Sequence, residues 1–334
     1  MPNISLVTGA NGHLGNNLVR FLLTKGDQVI AGIRNTQKRH IFNNLGCTVA
    51  NIDLMDKPSL VKALINVDVL YQVGAVFKHW SLNPKRDIYD ANMIATRNVI
   101  EASSEAGVGK IIYVSSLGAL DRTQIPITET TWNPDISNVY FKSKTDSEKL
   151  AWDLANKLGL KMISVLPSTM IGENCFSMTP SMSLLQTVLN GKLSANPGFF
   201  FNFVNIRDVA EGSWLAATKG KAGERYLLAN ENYTSVDEIV KIAQRLYPQR
   251  KIKMPPKPPK PLMYLIVSMM EFGSKILNME PQLQRNYLSA FSMKEKCNIS
   301  KAKEELGFNP QPPYSAIENT FRYLAEGLYN KKQF

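Results

Sequence analysis

Ile4-Ser5-Leu6-Val7-Thr8-Gly9-Ala10-Asn11-Gly12-His13-Leu14-Gly15 decides how this 334-residue chain folds. The residues before Gly9 are mostly apolar and β-branched, which is the signature of a strand. From Asn16 to Thr24, Leu18, Val19, Leu22 and Leu23 recur at helical spacing, and the run stops before Gly26. Strand, glycine turn and helix therefore follow one another without a break. Gly9 permits the tight turn, Gly12 lets the backbone approach a pyrophosphate, and Gly15 lets the helix pack closely on the strand. The start of the helix offers free N–H groups and the positive end of a dipole. Glycine spacing alone says little; between a strand and a helix it points to phosphate binding, with Thr8, Asn11, His13 and Leu14 beside the glycines.

The same alternation continues outward. Strands are expected at Gln28 to Ile33, Cys47 to Ile52, Asp68 to Val76, Lys110 to Ser115 and Lys161 to Leu166. Helices are expected at Pro58 to Ile65, Pro84 to Ala106 and Tyr140 to Leu158. This pattern predicts an α/β class, a Rossmann-like doubly wound parallel sheet, over residues 1–166. After Pro167 the rhythm loosens, and Phe199-Phe200-Phe201 sits among turns. Residues 167–334 are expected to form mainly a smaller C-terminal substrate-binding region, with segments returning to the Rossmann domain. The stretch Met254-Pro255-Pro256-Lys257-Pro258-Pro259-Lys260-Pro261 cannot be helix or inner strand. With the apolar helix after it, from about Leu262 to Leu277, it is expected to form a mobile wall over the substrate cleft and not a membrane anchor, the alternative being a helix simply packed on the core.

Hydrophobic residues make up 44% and charged residues 20%, which suits a globular enzyme and excludes a disordered chain. Cys47, Cys175 and Cys297 stand at no metal-like spacing, so no metal and a reduced, cytoplasmic setting are expected. The opening residues lack a charged region followed by an apolar one, so no signal peptide is expected. The apolar run from Pro261 to Met270 is interrupted by Glu271 and Lys275. It falls short of the roughly 20 residues that span a bilayer, so no integral membrane segment is expected. The net charge of +11 is spread along the chain without a recognition motif, which argues against nucleic acid.

Two further features bear on chemistry. The second strand ends Ala31-Gly32-Ile33-Arg34-Asn35, and no Asp or Glu lies between Asp27 and Asp53. A carboxylate there would bind the adenosine ribose 2′-hydroxyl, whereas Arg34, followed by Lys38 and Arg39, suits a 2′-phosphate. NADP(H) is thus expected over NAD(H), with Asp53 and Leu54 near the adenine. The second feature is Tyr140-Phe141-Lys142-Ser143-Lys144 at a helix start. Residues four apart share a helix face, so Tyr140 and Lys144 can face one cleft. An ammonium beside a phenol favours the phenolate and brings its proton into useful range. Ser115 and Ser116 end the fifth strand on the ligand side of such a sheet, and Ser116 can steady a substrate oxygen as charge develops.

These residues together resemble the extended short-chain dehydrogenase/reductase family over most of the chain. Thr8 to Gly15 matches its glycine loop, Asn92 its helix asparagine, Ser116 its catalytic Ser/Thr, and Tyr140 with Lys144 its Tyr-x-x-x-Lys. Pro167 through Gly172 resembles the segment against the nicotinamide, which implies roles for Pro167, Ser168 and Met170. Phe203 to Val209 and Asn298 to Gly307 resemble later family elements. Dihydroflavonol reductases, cinnamoyl-CoA reductases and related bacterial reductases are the most similar members, and they share Arg34 with Lys38. The segment Gln72-Val73-Gly74-Ala75 lies on the cofactor side but has glutamine where many members have histidine. Asp121 replaces a substrate-binding asparagine, and Asn205 and Arg207 replace the usual His and Asp. The resemblance also implies a homodimer paired through the helices at 84–106 and 140–158.

The expected reaction is reduction of a ketone or aldehyde on a mid-sized, partly apolar small-molecule carbonyl substrate. Phe77, His79, Trp80, Met170, Phe176, Met178 and Phe199 to Phe201 are candidates for its pocket. One alternative is a nucleotide-sugar epimerase or dehydratase, against which Arg34 speaks, since those enzymes keep NAD. A cofactor-binding sensor without turnover would have no need of both Tyr140 and Lys144. A 3β-hydroxysteroid dehydrogenase-like enzyme at a membrane surface fits the basic proline-rich arm and the apolar helix that follows it.

Overall fold

A computed structural model describes residues 2–76, 81–277 and 285–327 of the chain. Its first half runs β1 (Ile4–Thr8), α1 (His13–Thr24), β2 (Gln28–Ile33), β3 (Thr48–Asn51), α2 (Lys57–Leu64), β4 (Val69–Gln72), α3 (Ala91–Ala106), β5 (Lys110–Val114), α4 (Val139–Lys157) and β6 (Met162–Pro167). There follow β7 (Thr169–Ile171), α5 (Pro180–Leu189), β8 (Phe200–Phe201), β9 (Phe203–Asn205), α6 (Ile206–Lys219), β10 (Arg225–Leu228) and β11 (Thr234–Ser235). The chain then continues through α7 (Val236–Leu246), α8 (Lys260–Leu277), α9 (Arg285–Ala290) and α10 (Pro313–Ala325).

Seven of these strands form one sheet in the order β10-β6-β5-β4-β1-β2-β3. Every pairing in it is parallel. From β1 the chain works outward to β3, then crosses back to β4 on the other side of β1. That reversal opens a crevice at the carboxyl ends of β1 and β4, where open α/β sheets bind their ligands. The sheet is covered on both faces. Leu18 and Leu22 of α1 share one core with Val209 and Ala216 of α6. Leu60, Val99, Ile100 and Ala151, from α2, α3 and α4, fill the other. A separate apolar cluster holds the C-terminal elements together, with Ile171, Phe203, Val240, Ile317 and Phe321 at its centre. Both α6 and β10 thus lie in the layers of the large sheet.

Several boundaries differ from the periodicity, and three of the differences bear on the site. The fourth strand ends at Gln72, because the Thr8 hydroxyl accepts hydrogen bonds from the Val73 and Gly74 amides (3.1 and 3.0 Å) and turns the backbone aside. The helix expected from Pro84 opens with a wider turn at Lys85–Asp90 before α3 begins. Finally, α4 begins at Val139 because the Asn138 side chain caps it, accepting from Tyr140 and Phe141 amides at 3.0 and 3.2 Å.

One buried ion pair ties the two halves of the chain. Glu148 of α4 is fully buried and meets Arg225 of β10 through two contacts, of 2.8 and 3.0 Å. The same carboxylate accepts from the Ser115 hydroxyl at 2.6 Å and the Trp152 indole at 3.3 Å. Arg225 also donates to the carbonyls of Glu129 and Thr131 and lies 3.8 Å from the Trp132 ring centroid. Such a pair adds little relative to an apolar replacement of both partners, but removing one partner strands a charge. Arg225→Met is expected to destabilise the protein by about 3–5 kcal/mol. Denaturant unfolding measures this, and a loss below about 1 kcal/mol would contradict the buried-pair account.

Candidate active site

The glycine loop sits at the crevice. Gly9 has φ +60, and a β-carbon on it would fall 2.7 Å from the Gly74 α-carbon. Only glycine lets the two strand ends approach so closely. A β-carbon on Gly15 would lie 2.4 Å from the Gly9 carbonyl oxygen, so the helix packs onto the turn as the motif requires. No side chain caps the N-terminus of α1. Its first-turn N–H groups are therefore available to an anion, and the cradle fits a dinucleotide pyrophosphate. The His13 side chain turns away from this role. It is buried, donates to the Glu173 carbonyl at 3.0 Å, and is pushed down to about 4 by loss of solvent, so it is neutral at pH 7.

Next to the loop, Gln72 organises the turn. Its side chain accepts from Thr8 Oγ1 at 2.8 Å and donates to the Gly74 carbonyl at 2.7 Å. Asn92 of α3 holds the next backbone segment from both sides. It accepts from the Val76 amide at 2.8 Å and donates to the Val76 carbonyl and to Ser143 Oγ at 3.2 Å each. A cavity between these residues is lined by Gln72, Gly74, Asn92, Thr96, Tyr113 and Lys144.

The candidate reacting groups lie beside that cavity, which Lys144 lines. Ser116 follows β5 and begins a short turn, its Oγ accepting from the Gly118 amide at 3.1 Å. The Tyr140 hydroxyl is hydrogen-bonded to Ser116 and is otherwise sealed from solvent. Burial pushes the phenol well above its ordinary range, and the Ser116 hydrogen bond partly offsets this. The Lys144 Nζ lies 6.0 Å from the centre of the Tyr140 ring. Burial pushes this lysine down to about 8, against the pull of the Glu148 carboxylate one turn below. Contrary to the sequence expectation, the ammonium does not bring the phenol down: burial outweighs it, and Tyr140 keeps its proton.

The remaining candidates are dispersed around this centre. Arg34 and Lys38 are exposed just past β2. Asp53 and Leu54 are half-buried after β3, with the Leu54 side chain near Gly74. Ser115 is committed to Glu148. Pro167 ends β6, Ser168 is buried with no hydrogen-bond partner for its hydroxyl, and Met170 lies in β7. Among the proposed pocket residues, Phe199 and Phe201 are instead packed into the C-terminal core, with Phe201 stacked on Phe203 at 5.3 Å. Met178 is exposed and Phe176 half-buried, while Phe77, His79 and Trp80 lie outside the described residues.

Four residues that sequence reading passed over shape the site. Asn138 sets the start of α4, and an Asn two residues before Tyr140 was a readable cap signal. Glu148 supports Lys144 and Ser115. Arg122 joins Glu295 in a buried ion pair at 2.5 Å, donates to the Ala290 carbonyl, and lies 4.9 Å from the Phe141 ring. That latch holds the end of α9 over the site, so that Ala290 packs on Tyr140 and Phe141. No local pattern marks Arg122 or Glu295.

The buried ammonium has a measurable consequence. At pH 7 it is charged in both states, but only the folded state carries the desolvation penalty. Lys144→Met is therefore expected to stabilise the cofactor-free protein at pH 7, by roughly 1–3 kcal/mol. Between about 8 and the ordinary lysine value of 10.5 the unfolded state binds more protons, so wild-type stability rises with pH and the gap narrows. Thermal unfolding at pH 7 and pH 10 tests this; a gap that does not narrow rules it out.

The family model described as NAD dependent epimerase/dehydratase family matches residues 5–229. Over 332 residues the chain is 28% identical to sterol demethylase protein B of Methylococcus capsulatus, covering 96% of this chain and 98% of that protein. Over 265 residues it is 29% identical to cinnamoyl-CoA reductase 1 of Petunia hybrida, covering 74% and 78%. The crystal structure of gox2253 superposes with a TM-score of 0.82 at 31% identity, covering 97% of this chain and 98% of that one. The match runs from the first strand through β10, the span that carries the glycine cradle and the Ser116–Tyr140–Lys144 cluster, and this chain is therefore an NAD(P)-dependent enzyme of the NAD dependent epimerase/dehydratase family.

Proposed function

We propose that the chain reduces a ketone or aldehyde on a mid-sized, partly apolar substrate to the alcohol, using NADPH. The observation that carries this reading is the cluster of a buried Tyr140 with half-buried Ser116 and Lys144 at the mouth of the crevice. When bound, the dinucleotide supplies the hydride. Ser116 donates a hydrogen bond to the substrate oxygen and steadies the charge that develops there. Tyr140, kept protonated by burial, gives its hydroxyl proton to that oxygen. The Lys144 ammonium then stabilises the phenolate left behind. Asn92 and Gln72 keep the neighbouring backbone in place.

Arg34 supports NADPH as the cofactor. It stands exposed at the carboxyl end of β2, where a ribose 2′-phosphate would lie, with Lys38 close behind and no carboxylate in the segment. The full-length likeness to a protein whose name ties it to sterols favours a partly apolar substrate over a nucleotide sugar. In this reading residues 1–166 bind the dinucleotide, and residues 167–334 mainly enclose the substrate.

Two substitutions test these roles separately. Tyr140→Phe is expected to keep NADPH binding near wild type and to lower kcat on the order of 10²-fold or more. Retention of more than about a tenth of the rate would remove Tyr140 as proton donor. Arg34→Asp is expected to weaken NADPH far more than NADH in fluorescence titrations. Equal affinity of the native protein for the two cofactors would overturn the phosphate role.

A further inference from the structure

Only one side of α8 is buried. Met263 and Val267 sink into the C-terminal core. On the other side Leu262, Leu265, Ile266, Met269, Phe272 and Ile276 are exposed, with Leu265 at 58%, Met269 at 67%, Phe272 at 68% and Ile276 at 65%. At the α-helical turn per residue these six positions fall within an arc of about 120°, shared only with Gly273. They form one continuous stripe, and exposed apolar patches of this kind mark interaction surfaces.

The chemistry beside the stripe identifies what covers it. From Ile239 to Met270 the sequence has no acid and seven basic residues: Lys241, Arg245, Arg250, Lys251, Lys253, Lys257 and Lys260. Lys251, Lys253, Lys257 and Lys260 are all exposed in the arm that leads into the helix and at its first turn. Lys257 pairs with Asp237, and the one acid of α8, Glu271, pairs with Arg285. A protein partner would account for the apolar stripe but gives no reason for the basic run beside it. Among the described residues no helix is long and apolar enough to cross a membrane. An apolar stripe next to clustered lysines suits a helix lying in the plane of an anionic lipid surface.

The geometry points to α8 as a membrane-docking helix, seated in the headgroup region of an anionic lipid bilayer with the preceding lysines against lipid phosphates. A cavity of about 260 Å³ opens beside this same helix, lined by Pro258, Lys260, Met263, Tyr264, Leu288 and Ser292. The adjoining α9 carries Ala290 onto Tyr140. Docking would thus place a route for apolar molecules at the lipid boundary. The assignment does not depend on the reductase reading.

Co-sedimentation of the full chain, without substrate, tests it with phosphatidylcholine vesicles that do or do not contain phosphatidylglycerol. Binding is expected to the anionic vesicles and to fall as salt rises. Met269→Glu combined with Phe272→Glu is expected to weaken it on the order of tenfold or more, and Lys251→Glu combined with Lys253→Glu to weaken it as well. Ile65→Glu, at an exposed apolar position remote in sequence, is expected to leave binding unchanged. Circular dichroism checks that each variant is folded. The assignment is overturned if the protein stays in solution with both vesicles, or if the stripe variant binds like the parent. It is equally overturned if light scattering finds a dimer that the stripe variant dissociates, since the stripe would then belong to a second copy of the chain.

Discussion

The buried carboxylate of Glu148 is the constraint on which the site depends. It lies in α4 one turn beyond Lys144 and two beyond Tyr140, and it is shared by Arg225, Ser115 and Trp152. Through Ser115 it fixes the end of β5, and hence the start of the turn that presents Ser116. Through Arg225 it fixes α4 against β10, and through the Glu129 and Thr131 carbonyls the loop between Ser116 and Tyr140. A carboxylate removed from water is tolerated because its donors are supplied from several elements at once. The same arrangement holds together the elements that carry Ser116, Tyr140 and Lys144.

The site is organised at some cost to stability. Burial pushes the tyrosine up, so that it keeps its proton, and pushes the lysine down, so that its charge at pH 7 is held against a desolvation penalty. Such perturbed groups cluster where chemistry is done, because their environment sets which proton is available and when. The helix cap from Asn138 and the Arg122–Glu295 latch supply the rigidity that this requires. Tyr140 is packed against Ala290 and largely shielded from solvent.

The C-terminal region divides its apolar residues between two uses. Phe199 and Phe201, which on sequence grounds could have lined a pocket, instead build its core together with Phe203. Side chains on α8 fill that core along one stripe and leave another uncovered. Composition cannot distinguish these fates, since a phenylalanine that packs and one that waits for a ligand are the same residue.

The sequence by itself determined the alternation of strands and helices, the phosphate turn, and the juxtaposition of Tyr140 with Lys144. Each of these rests on short-range physics: side-chain period, the conformational freedom of glycine, and the helical turn that brings residues four apart onto one face. Tertiary structure alone decided what completes the site. Arg225 reaches Glu148 across 77 residues, and Arg122 reaches Glu295 across 173. Gln72 gained its role only when β1 and β4 became neighbours. Such pairings follow from the order of strands in the sheet and the packing of the C-terminal segment upon it, and no local pattern encodes which distant residue will arrive at a given edge.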